Sequence, residues 1–179
     1  LVSFALVNAD SRASIQRFAT ALRDDRISPF GRAYGNENLW LLHRDRGDRE
    51  RALEFAQAMY DAEPTNPRYS INVGHSYLML LRVEEAIPHF ERAAAAAPQR
   101  WDAPYNLGLC YASLGRHEEA LTALGAASRN GPEQPEVWHA VVRSLAKSGR
   151  EDSAAVVWEK VKTRWPEYVE AERKKRVGP

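Results

Sequence analysis

A chain of 179 residues, 44% hydrophobic and 27% charged, is long enough to bury a core and too polar for a bundle of membrane spans. Its 25 lysines and arginines face 24 acids, so a net charge of +1 supplies no overall field to draw nucleic acid or anionic lipid. The single cysteine, Cys110, excludes an internal disulfide and cannot build a zinc site by itself.

The chain opens with "LVSFALVNA", an apolar run about half the ~20 residues a membrane helix needs. It carries neither the basic flank nor the cleavage site of a signal peptide. Because the first residue is Leu1 and not methionine, the sequence reads as part of a longer or processed protein. Next, Ile15, Phe18, Ala19 and Leu22 share one face, which predicts a helix over 14–26. Residues 1–32 are therefore expected to form a degenerate helical hairpin or cap, and the breaker-rich "SPFGRAYGN" leads into the next segment.

From residue 33 the chain repeats. "NVGHSYLMLLRVEEAIPHF" from Asn72 returns 34 residues later as "NLGLCYASLGRHEEALTAL" from Asn106. Pro64, Pro98, Pro132 and Pro166 share that interval, as do Ala52, Ala86, Ala120 and Ala154. Gly47, Gly115 and Gly149 form a third column, with Leu81 in the vacant place. Such registry marks a repeat array, with units 33–66, 67–100, 101–134 and 135–166 and a polar capping tail at 167–179.

Each unit reads as two helices. In the third, Tyr105, Leu107, Gly108, Tyr111 and Leu114 share a face, "LGRH" breaks the helix, and Ala120, Leu124 and Ala127 make a second face. Asn66-Pro67 and Gln134-Pro135 place a proline just inside a helix start, where its missing N–H costs nothing. Pro88 lies about one turn into its helix, so only a mild distortion is expected there.

The small-Gly-Tyr first helix, alanine-led second helix, closing proline and 34-residue frame resemble the tetratricopeptide repeat. The outer units depart from the pattern, with Trp40 and His43 in the first and Val142 and Leu145 in the fourth. The resemblance implies an all-α, right-handed superhelical solenoid whose first helices line a concave groove. It also implies a non-catalytic protein-interaction module that binds a polypeptide segment there. The groove-facing places are then Asn38 in the first unit and Arg68, Asn72, His75 and Met79 in the second. Asn106 and Leu109 follow in the third unit, and His139 and Arg143 in the fourth. Tyr105 and Lys147 occupy further places of the same set.

Asn38, Asn72 and Asn106 again stand 34 apart. A carboxamide both donates and accepts, so the column could hold a peptide backbone, similar to the asparagine ladder of protein O-linked N-acetylglucosamine transferases. Equally, it could serve local hydrogen bonds within each helix. The carboxylate clamp of chaperone-binding relatives is not expected. Its places fall on Glu37, Leu41, Asn72, Asp102 and Asn106, or one unit later on Ile71, His75, Asn106, Glu136 and Ala140. A carboxylate would meet no compensating charge in either frame.

The five histidines form no His-x-x-x-His pair, and neither a phosphate loop nor a nucleophile motif occurs. No metal, cofactor, nucleic acid or membrane insertion by this segment is expected. Cys110 reads as a small buried hydrophobe, and Trp138, Trp158 and Trp165 read as packing residues. The alternative to peptide capture is a scaffold that self-associates, or packs within a larger membrane-associated or transferase protein.

Overall fold

The computed structural model describes residues 11–177, which are helical apart from short turns. The ten helices are α1 (Ser11–Ala21), α2 (Pro29–Arg46), α3 (Arg49–Ala62), α4 (Pro67–Met79), α5 (Val83–Ala96), α6 (Asp102–Ser113), α7 (His117–Asn130), α8 (Pro135–Lys147), α9 (Glu151–Arg164) and α10 (Pro166–Val177). They fall into two compact units, residues 1–96 and 97–179. In the first, α1 packs on α2, and the pairs α2/α3 and α4/α5 are joined through α3 and α4. In the second, the pairs α6/α7 and α8/α9 are joined through α7 and α8, and α10 packs on α9. The apolar run at residues 1–10 lies outside the described residues.

Local chemistry places the ends. Pro67 and Pro135 open α4 and α8, and Asn66 accepts the N–H of Arg68 at 3.1 Å. The turn inside each pair uses one left-handed residue: Gly47 (φ 78°), Leu81 (φ 61°), Gly115 (φ 75°) and Gly149 (φ 77°). Glycine takes this conformation freely, whereas a side chain crowds its own carbonyl. Leu81 tolerates it in water, being 81% exposed. Helix α5 runs through Pro88 without a break, because that ring lies on the exposed side where the freed Glu84 carbonyl meets water.

Packing inside the pairs rests on two facing columns. The first helices carry Trp40, Gly74, Gly108 and Val142, and the second helices carry Ala56, Phe90, Leu124 and Trp158. Where the first column is glycine, the second is large. A methyl on Gly74 would sit 2.7 Å from the Phe90 ring, and one on Gly108 would sit 2.6 Å from Leu124 Cγ. The α2/α3 pair reverses the sizes, with buried Trp40 packed in one cluster with Ala52 and Ala56. Trp40 Nε1 donates to Ser76 Oγ at 3.0 Å, and that hydroxyl donates to the Asn72 carbonyl at 2.9 Å, so the buried indole is satisfied. Ala52, Ala86 and Ala120 are fully buried and Ala154 nearly so, which lets the helices approach closely.

Three local expectations need correction. Helix α1 spans Ser11–Ala21 and not 14–26, because the Asp24 carboxylate accepts from the backbone and side chain of Arg26 and closes a turn instead. Pro29, read as part of a breaker, opens α2 at its first position, with Ser28 Oγ accepting the Gly31 N–H at 3.1 Å. Pro166 likewise opens α10, leaving only Trp165 between α9 and the last helix.

Replacing Leu81 with glycine should raise unfolding stability by about 0.5–1 kcal/mol, the left-handed strain relieved less the added chain entropy. An unchanged or lower urea midpoint would count against that strain. For the interlock, Gly108→Ala should cost about 1–3 kcal/mol and Leu124→Ala about 2–5. The double variant should lose at least ~0.5 kcal/mol less than the sum, and strict additivity would show that the two sites do not compete for space.

Candidate functional site

In the first unit the asparagines behave differently. Asn38 is half-buried and its carboxamide donates to the Tyr34 carbonyl one turn back, at 2.7 Å. Asn72 is only 6% exposed, and its Nδ2 is buried without a hydrogen-bond partner. Arg68 is exposed and paired with Glu37, reaching from α4 to α2. His75 is half-buried beside the Phe90 ring, 5.6 Å between centroids. Met79 packs against the cluster of Trp40, Met59 and Val73, so its side chain belongs mainly to the core.

The second unit brings its candidates together. Asn106 is half-buried and donates to the Asp102 carbonyl at 2.8 Å, the same local bond as Asn38. Leu109 of α6 and Arg143 of α8 line one cleft of about 200 Å³, together with Lys147, Ser113 and His117. Arg143 borders a second, apolar cleft of about 560 Å³ with His139, Val142, Trp158 and Val169. The walls of the latter come from α8, α9 and α10.

The second cleft follows from the facing columns. Here alone both places are filled, by Val142 and Trp158, and both side chains stay half-buried at its edge. Trp158 lies 5.6 Å from His139, ring centre to ring centre, and His139 Nδ1 shares a 3.0 Å hydrogen bond with Tyr168 Oη of α10. Burial pushes Tyr168 up to about 12, with Glu172, Tyr105 and Glu136 adding to the rise and Arg143 opposing it. Tyr105 is raised in the same way, first by burial. Both phenols therefore act as neutral hydrogen-bonding groups near neutral pH.

Cys110 is 1% exposed, and burial lifts its thiol to about 11, so it is packed and protonated. Among the described residues no cluster of three or more His, Cys, Asp or Glu could hold a metal ion. No described helix is long and apolar enough to cross a membrane. Sequence reasoning missed the part played by α10, treated as a solvated cap. The signal was Tyr168, Val169 and Glu172, which lie along one helical face after Pro166.

A family model described as tetratricopeptide repeat matches residues 82–145. Among solved structures, MamA 41-end from Desulfovibrio magneticus RS-1 is similar, at 21% identity and TM-score 0.78, covering 89% of this chain and 88% of that one. Another MamA structure has 20% identity and TM-score 0.76, over 87% of this chain and 89% of that chain. YrrB, described as a TPR protein with an unusual peptide-binding site, has 18% identity and TM-score 0.74, over 96% and 88% of the two chains. No curated protein sequence is significantly similar to the chain.

Among the seven tyrosines, the last to ionise in an ultraviolet titration should do so near pH 12 and should vanish in Tyr168→Phe. Its folded value lies above the ordinary 10, so the stabilisation it contributes is full below pH 10 and is lost as pH rises towards 12. A Tyr168→Phe titration that matches the wild type would remove this assignment.

Proposed function

We propose, from the premise that this chain belongs to the tetratricopeptide repeat family, that it is a docking module which holds a segment of another polypeptide against its first helices. The observation that carries the reading is the pairing of Leu109 and Arg143 in one cleft. They occupy equivalent places in the two pairs of the second unit, so successive repeats present their first helices to a common ligand. An apolar contact beside charged and hydroxyl groups suits a peptide side chain, which needs burial and orientation together.

The first unit contributes by its own chemistry. Asn38 and Asn106 already satisfy their carboxamide donors within their helices, whereas Asn72 does not. A buried donor left unmade costs about 1–3 kcal/mol, so a ligand carbonyl that reached Asn72 would recover part of that cost. Peptide binding by YrrB, which shares this fold, adds support.

A displayed library of random octapeptides, selected on the intact chain, tests the reading. Recovered peptides should bind saturably with one-to-one stoichiometry, and Leu109→Asp should weaken them at least tenfold while circular dichroism stays unchanged. Failure to enrich any peptide, or indifference to Leu109→Asp, would refute it. Concentration-dependent light scattering abolished by Leu109→Asp would make the occupant a second copy of the chain instead.

A further inference from the structure

We infer that the cleft between α6 and α8 is an anion subsite that receives an acidic side chain, of the glutamate or aspartate class, from the bound polypeptide. This rests on the docking reading and specifies the ligand's chemistry. Two cations frame the cleft, Arg143 and Lys147, one helical turn apart on α8. No residue that lines it is acidic. The polar remainder is Ser144, His117 and Ser113, whose hydroxyl donates to the Cys110 carbonyl at 2.8 Å.

Most cations of the same unit are paired, and among the described residues Arg129, Lys160, Arg143 and Lys147 are not. Arg100 holds Asp102, Arg116 holds Glu119, Arg150 holds Glu118 at 2.8 Å and Arg164 holds Glu133. Arg143 and Lys147 form no ion pair among the described residues. Of the nearby carboxylates, Glu172 binds Lys175 at 2.6 Å and lines the neighbouring cleft that Arg143 also borders. Like charges four residues apart on a helix repel by a few tenths of a kcal/mol. A ligand carboxylate set between them would remove that repulsion and accept charge-assisted hydrogen bonds from both.

Size and lining narrow the ligand further. About 200 Å³ is below the ~300–1,000 Å³ of small-molecule and cofactor sites, and suits one side chain. Leu109, Ala112 and Ala140 give the cleft an apolar wall along which methylene groups can lie beneath the charged head. This is not the clamp for a C-terminal carboxylate, whose places hold other residues here. It uses two successive turns of a single helix.

The octapeptide selection answers this separately from the docking reading. Peptides recovered by the wild-type chain should be enriched in glutamate and aspartate. A synthetic copy of one such peptide should bind at least tenfold more weakly to the Arg143→Glu, Lys147→Glu double variant, and its affinity should fall with added sodium chloride. The milder Arg143→Gln, Lys147→Gln pair should weaken it in the same direction with the fold intact by circular dichroism. Enrichment without acidic residues, or acidic peptides held equally by both double variants, would overturn the anion subsite and leave docking standing. If no peptide is enriched at all, the docking reading falls and the subsite falls with it.

Discussion

Three of the four helical pairs, α2/α3, α4/α5 and α6/α7, depend on a steric exchange. One helix gives up a side chain where its partner inserts one: Gly74 under Phe90, Gly108 under Leu124, and in reverse Ala56 beside Trp40. Helices of 12 to 14 residues, such as α4 to α9, are marginal alone in water, so this contact and not intrinsic propensity keeps them formed. Glycine in a helix interior costs about 0.5–1 kcal/mol relative to alanine, a loss that complete burial of Phe90 or Leu124 more than offsets. The sizes can exchange sides without harm because the core requires a filled volume and is indifferent to which helix fills it.

That constraint explains where the surface opens. In the last pair neither partner yields, so Val142 and Trp158 cannot both enter the interior, and the indole remains at the rim beside His139. The α10 helix then supplies Tyr168 and Val169 to finish the wall. A lapse in the packing rule thus becomes a cleft with a polar tip. The turns follow a rule of the same kind. Three of the four use glycine in the left-handed region, and Leu81 adopts it at an exposed place where strain is the sole penalty. Arginines beside these turns cover the aromatic column, with Arg82 over Tyr77 and Arg116 over Tyr111 at 4.9 and 4.5 Å.

Much of this fold is legible in the sequence because it is periodic. The 34-residue spacing of proline, alanine and glycine reports helix starts, close approaches and left-handed turns, all set by local sterics. Legibility fails where a tertiary partner decides. Nothing local shows that Tyr168 will reach His139 twenty-nine residues away, whereas Ser28-Pro29 is a local start signal of the same kind as Asn66-Pro67. The asparagine column shows the limit inside a single motif. Spacing alone leaves local bonding and ligand contact open, and Asn38 and Asn106 turn out to bond within their own helices while Asn72 keeps an unmet donor.

The candidate clefts lie where the repeat departs from itself. A column that holds the same residue in every unit serves what every unit shares, namely packing and turning. Chemistry that distinguishes one ligand from another has to come from places where the units differ. At the equivalent place of successive first helices the chain has His75, Leu109 and Arg143, and one turn later Met79, Ser113 and Lys147. Met79 packs against the core of its own unit, whereas Arg143 and Lys147 line a cleft with no acidic residue in its wall. The invariant columns supply rigidity, and the places that vary set the charge that the cleft presents.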